Sequence, residues 1–195
     1  MVRKSPNINN TIVPTSSEPD WITPTLKARS QKLSIFKDYL SCEAKHALDL
    51  MVMVIKGQCG AAEKTGAKPF SGFDGTALNS AFDKLGWGED GWYGLLLAPS
   101  GACALEKEQL RILIEALDPT VIVTVDEPAR QLVAKTVLDY EQLAAWASGT
   151  TTDAQGRLLV RVDGFEAALG SETEKQMVWQ QLKGASRSEV LRRFR

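Results

Sequence analysis

Four short apolar runs of this chain end in residues able to do chemistry. Gln58 and Cys59 follow Leu48–Ile55, Pro99 and Ser100 follow Trp92–Ala98, Asp126 and Glu127 follow Thr120–Val125, and Asp163 and Gly164 follow Arg157–Val162. Carboxylates brought together can divide acid and base work, because proximity pushes their pKa values apart. Asp126, Asp163 and Glu63 are the candidates for that role, while Gln58, Cys59 and Ser100 supply an amide, a thiol and a hydroxyl. The same residues have plain structural uses. Asp126 can cap a helix with Glu127 in its first turn, and Asp163 can open a turn.

The elements that must position them are legible from pattern. Apolar runs of strand length alternate with amphipathic segments: Thr76–Leu85, Leu105–Leu117, Ala129–Val137, Asp139–Ala147, Glu172–Lys183 and Arg187–Phe194 read as helices. Asp118-Pro119 stops one helix, and Pro128 sits near the start of the next, where a missing amide is harmless. Four strands separated by helices imply an α/β fold, a three-layer α/β/α sandwich around a four-stranded parallel sheet. In such a sheet the loops at the carboxyl ends of the strands form the ligand rim, so the residues above should share one edge. Ser148–Gly156 reads as a polar loop.

Ahead of the first strand, residues 1–24 are rich in Pro, Ser, Asn and Thr and read as a flexible arm, leaving 25–195 as a single domain. Thr25–Cys42 has helical spacing, with the basic residues Lys27, Arg29, Lys32 and Lys37 interleaved. Lys27, Arg29 and Lys32, with Arg187, Arg192, Arg193 and Arg195 at the other end, are the candidate DNA contacts. A solvated surface uses such residues equally well. The net charge of −1 gives no global pull toward nucleic acid. Cys42, Cys59 and Cys103 are scattered, with no C-x-x-C pair, so no zinc site, disulfide framework or four-thiolate cluster is indicated; neither a metal nor a cofactor is expected. The apolar fraction of 44% is enough for a sizeable core. No apolar run is long enough to span a bilayer and the N-terminus lacks a signal core, so the expectation is a cytoplasmic chain with no membrane partner.

The loop after the first strand carries a further signal: Gly57-Gln-Cys-Gly60, then Glu63, Gly66, Pro69-Phe-Ser-Gly72, and a helix. Its order resembles the uracil-DNA glycosylase superfamily, especially the thermophile-type iron–sulfur branch, where G-E-A-P-G is followed by an acidic position and G-x-P-F-V-G. Gly57 and Gln58 are also similar to the G-Q-D-P-Y-H motif of the uracil-excising branch. Leu113–Val125 resembles that superfamily's helix, proline and third strand, and Val160–Lys183 its last strand and helix. The resemblance covers about residues 48–184. It implies a uracil-DNA glycosylase-like domain, with Phe70 at the position of the aromatic that stacks on an extruded base; core packing is the other use of that side chain.

The departures from the family pattern carry the functional expectation. Gln58 or Cys59 stands where the resemblance calls for a carboxylate, and an amide is no general base. Leu95 or Leu96 stands near the expected base-reading asparagine, which removes hydrogen-bond readout. Val162-Asp163-Gly164 replaces the motif that brings a histidine, and the chain's only histidine, His46, precedes the first strand. The cysteines that would ligate a cluster are missing. The expectation is therefore a non-catalytic binding or scaffolding module, with DNA, a nucleobase or another protein as its partner. Two alternatives stay open: a DNA glycosylase of altered base specificity whose carboxylates have moved to Glu63, Asp74, Asp126 or Asp163, and an unrelated enzyme using Cys59 as nucleophile.

Overall fold

The computed structural model describes residues 33–43, 47, 50–87 and 91–186. The arm, Lys27, Arg29, Lys32, His46 and the segment from Arg187 onward, with Arg192 and Arg193, lie outside the described residues.

Five strands form one mixed sheet: β1 (Val52–Lys56), β2 (Trp92–Leu96), β3 (Val121–Thr124), β4 (Thr151–Ala154) and β5 (Arg157–Arg161), in the order β2-β1-β3-β5-β4. β2, β1, β3 and β5 run parallel, as the alternation of strand and helix requires, but β4 pairs antiparallel with β5. The four-stranded, wholly parallel sheet is thus corrected by one strand. Its hairpin turns at Gln155 and Gly156, with φ of 52° and 77°. Two left-handed residues match the twist of a tight hairpin. A Gln-Gly pair inside a Thr- and Ser-rich stretch reads as a loop in sequence, which is why this edge strand is inconspicuous.

The helices are α1 (Ala61–Lys64), α2 (Phe73–Leu85), α3 (Lys107–Leu117), α4 (Glu127–Val137), α5 (Tyr140–Ser148), α6 (Phe165–Ala168) and α7 (Glu172–Ala185). Alternation along the strands decides which helix covers which face. Met53, Ile55, Tyr93, Leu95, Ile122 and Leu159 meet α3, α4 and Trp146 of α5. Val52, Val54, Val121, Val123, Leu158 and Val160 meet α2, α6 and α7. Every residue of the central strands β1 and β3 is buried, as both faces being covered demands.

The helix expected over Thr25–Cys42 does not extend to Cys42. Ser34–Phe36 forms a single 3-10 turn, and the chain then extends along the outer edge of β2. Ser41 N–H donates to the Gly94 carbonyl at 2.9 Å, Leu96 N–H to the Tyr39 carbonyl at 2.9 Å, and Gly94 N–H to Ser41 Oγ at 2.7 Å. An open strand edge leaves backbone groups without partners, and covering it outweighs the local helical preference.

Phe70 shapes the same edge from the side of α2. Its backbone sits at φ 58°, a conformation unusual for a bulky residue, and its ring lies edge-on to Trp92 with centroids 5.6 Å apart. A Cβ on Gly94 would come within 2.1 Å of that ring. Gly94→Ala is therefore expected to displace Phe70 and lower stability by about 1–3 kcal/mol, read by thermal unfolding.

Candidate functional site

The sheet order reverses direction at β1: the chain moves outward to β2, then returns across to β3 and onward to β5. The crevice at such a switch point, between the carboxyl ends of β1 and β3, is where an open α/β sheet takes ligands. Here one side chain closes it. Asp126, two residues past the end of β3, accepts from Gly57 N–H at 2.8 and 3.0 Å and from Gln58 N–H at 3.1 Å, both just past β1. It also caps α4, accepting from Ala129 N–H at 2.9 Å. Gly57 is the residue that permits this approach, since a Cβ there would lie 2.5 Å from Pro128 and 2.9 Å from Asp126 Oδ1. Asp126 could serve as a general base only by giving up amides that two loops depend on.

Beside the crevice lies a cluster that the strand pattern hides. Lys56 ends β1 in register with Val52 and Val54, so its side chain points under α1 and α2. Its ammonium, 3% exposed as a residue, lies 3.1 and 3.2 Å from the Glu63 carboxylate, 2.5 Å from Asp74 Oδ2 and 3.5 Å from Glu166 Oε2. It also sits 5.4 Å from the centre of the Phe70 ring. Burial alone would lower the pKa of Lys56, but hydrogen bonds from its ammonium to Asp74 and Glu63 outweigh that and hold it above the ordinary lysine value. A cationic lysine at this point already occupies the place that a metal ion would take between these carboxylates. Among the described residues no group of three or more Asp, Glu, His or Cys side chains is arranged to hold one.

Glu63 is engaged on every side. Besides Lys56, it accepts from Gly60 N–H at 2.8 Å and Phe70 N–H at 2.9 Å, tying the start of α1 to the turn before α2. Asp74 accepts from Gly75 N–H at 2.9 Å. Asp163 turns away from the crevice and pairs with Arg161 at 2.8 and 2.7 Å. Glu127 is held to a pKa of about 2 by hydrogen bonds from Arg130 and Gln131, so it is anionic throughout the neutral range and is no proton donor there.

The remaining opening is a cleft of about 160 Å3 lined by Gln58, Cys59, Lys56, Asp74, Asp126 and Glu166, with Val125 and Phe165 behind them. Drug-sized ligands usually occupy roughly 300–1,000 Å3. The structure thus brings Gln58, Cys59 and Asp126 together. It leaves out four other expected members: Phe70 is buried beneath Lys56, Glu63 is buried against the same lysine, Asp163 faces Arg161, and Ser100 lines a separate recess with Lys37 and Pro99. Cys59 donates its thiol to the Ala98 carbonyl at 3.2 Å. Lys56 and Glu166 are the functional-looking residues that sequence reasoning passed over. Strand alternation from Val52 through Val54 was the signal for Lys56; Glu166 had none, because α6 is only four residues long.

No helix among the described residues is long and apolar enough to cross a membrane. No protein-family model and no curated protein sequence matches the chain.

Proposed function

We propose that this chain is a uracil-DNA glycosylase-like binding or scaffolding module that does not excise bases. The observation that carries this reading is the commitment of Asp126 to three backbone amides at the switch point, where a ligand and a catalyst would otherwise meet. The small size of the cleft and the burial of Phe70 support it, since a ring packed against Gly94 and Trp92 is withdrawn from stacking on a base.

The charge around the cleft bears on the partner. Asp74, Asp126 and Glu166 outnumber the single ammonium of Lys56, which disfavours a phosphate backbone at this edge. Any DNA contact would run through the basic residues at the two ends of the chain. A gel-shift titration against salt reads that directly, because phosphate contacts weaken steeply as salt rises.

The testing experiment is base release from single-stranded and duplex DNA carrying uracil, hypoxanthine or xanthine, read as abasic sites. None should accumulate above background. The alternative, a glycosylase with relocated carboxylates, has one specific observation in its favour: Glu166 borders the cleft with its side chain 54% exposed. Abasic sites that form with the wild type and vanish with Glu166→Gln would establish that alternative.

A further inference from the structure

Between α2 and α7 an open groove runs along the surface. Phe73, Thr76, Ala77, Ser80, Ala81 and Lys84 follow helical spacing and line two adjoining grooves that meet at Leu169. Leu169, Lys175, Trp179 and Leu182, following α6 and along α7, supply much of the opposite wall. The half beside Ala77, Ala81 and Trp179 holds about 280 Å3 and is almost wholly apolar, while the half beside Phe73 and Glu166 holds about 520 Å3. Phe73 stands 89% exposed at one end, so the surface carries a large apolar knob beside an unfilled apolar hollow.

We propose that this groove is the contact surface of a twofold dimer, in which Phe73 of each copy fills the apolar half of the other's groove. Three features point to a second copy as the occupant. Phe73 and Ala81 are eight residues apart, about 12 Å along the helix, and Ala77 lies midway between them. Two α2 helices running antiparallel about an axis at Ala77 therefore place each Phe73 over the partner's hollow. Ala77, Ser80 and Ala81 are small, so the helices can approach to the usual separation of roughly 8–10 Å.

The charges follow the same symmetry. Glu166, which also reaches Lys56 at 3.5 Å, lies at the Phe73 end, and Lys84 lies at the other with Lys175, itself 3.6 Å from Glu172. Antiparallel packing sets the acidic end of one copy against the basic end of its partner; a parallel arrangement would oppose like charges. A closed twofold contact must be self-complementary in this way. The net charge of −1 adds no long-range repulsion between copies. The Phe73 end of the groove adjoins the strand-end cleft through Asp74 and Glu166, but oligomeric state and base release read the two proposals by separate measurements.

Sedimentation of the full chain between roughly 1 and 200 µM, where contacts of modest size dissociate, tests the proposal. The wild type should move from 21.3 kDa toward twice that mass. Phe73→Ser should weaken dimerisation about tenfold or more, as loss of a central aromatic anchor does. Lys84→Glu should also weaken it at low salt. Tyr140→Ser should change nothing, since Tyr140 is as exposed as Phe73 but lies on α5, away from the groove. A wild type that stays at 21.3 kDa throughout overturns the proposal, including when the chain's own ends fill the groove. So does a Phe73→Ser variant that dimerises like wild type, or a Tyr140→Ser variant that weakens as much as Phe73→Ser.

Discussion

Replacing Lys56 by methionine is expected to lower stability by about 3–5 kcal/mol, the usual loss when one partner of a buried charge cluster is removed. The effect arises from what stays behind. Glu63 and Asp74 are both nearly inaccessible to water, and their carboxylates lie 3.1 and 2.5 Å from the Lys56 ammonium. Without that cation, two buried carboxylates are left together in a low-dielectric pocket beside the Phe70 ring. For a domain of this size the melting temperature should fall by roughly 2–4 °C per kcal/mol. The triple variant Lys56→Met, Glu63→Gln, Asp74→Asn should recover part of the loss, because the stranded charges are gone and an amide oxygen still accepts from the Gly60 or Phe70 amide. A single variant within about 0.5 kcal/mol of wild type would show that the cluster is solvated and dispensable.

The pH dependence of the same cluster has a definite sign. The folded-state pKa of Lys56 is raised above 10.5, so the stability it contributes is fully present below the unfolded-state value. It is lost only as pH rises through the folded-state value. Lys56 therefore adds to an alkaline limb of the stability profile, above about pH 10.5, which buried Tyr93 shares because burial raises its pKa too, and Lys56→Met should shrink that limb. Equilibrium unfolding across that window reads it directly.

The second large effect is expected from Asp126→Ala, at roughly 2–4 kcal/mol. A lost helix cap costs about 0.5–2 kcal/mol, and hydrogen bonds to a charged acceptor contribute about 1.5–3 kcal/mol each when both partners are held in place. Asp126 supplies the cap to α4 and the acceptor for Gly57 and Gln58. Asp126→Asn should fall between wild type and alanine. Its oxygen can replace Oδ1 toward Gly57 and Ala129, but its amino group would then face the Gln58 N–H. Chemical denaturation of the three proteins gives the order. An alanine variant as stable as wild type would leave Asp126 free for chemistry.

Much of the fold is legible in the sequence because both faces of the sheet are covered. Runs such as Val121–Thr124 and the amphipathic Lys107–Leu117 carry strong periodic signals, and Asp118-Pro119 marks the boundary between them. Asp126 illustrates a residue whose structural use can be read in advance: a cap position followed by Glu127 and Pro128 announces a helix start, and the structure places it there. What sequence does not announce is that the same carboxylate also spans two strands, since contact with Gly57 and Gln58, nearly seventy residues away, depends on strand order. The departures came where a tertiary need outweighs local preference. Residues 39–41 leave the helical pattern to cover β2, and Thr151–Ala154 becomes a strand because β5 offers it an edge. At the site, Lys56 reads as the polar end of an apolar strand, and its role depends on Glu63, Asp74 and Glu166, which come from separate helices.

Glu63 and Asp163 follow the same logic as Asp126. Each was a plausible catalyst from its position in the chain, and each has its oxygens engaged by a neighbour in the fold. An α/β sheet whose rim carboxylates hold loops in place, with the Phe70 ring packed inward, is suited to presenting a rigid surface.

Native-state hydrogen exchange at the Gly57, Gln58 and Ala129 amides tests this most directly, because all three depend on one carboxylate. The expected result is joint protection in the wild type and joint loss of that protection in Asp126→Ala, with the amides of central β1 still protected. Rapid exchange at Gly57 and Gln58 in the wild type would contradict it, and would show that Asp126 is available at the mouth of the crevice as a base.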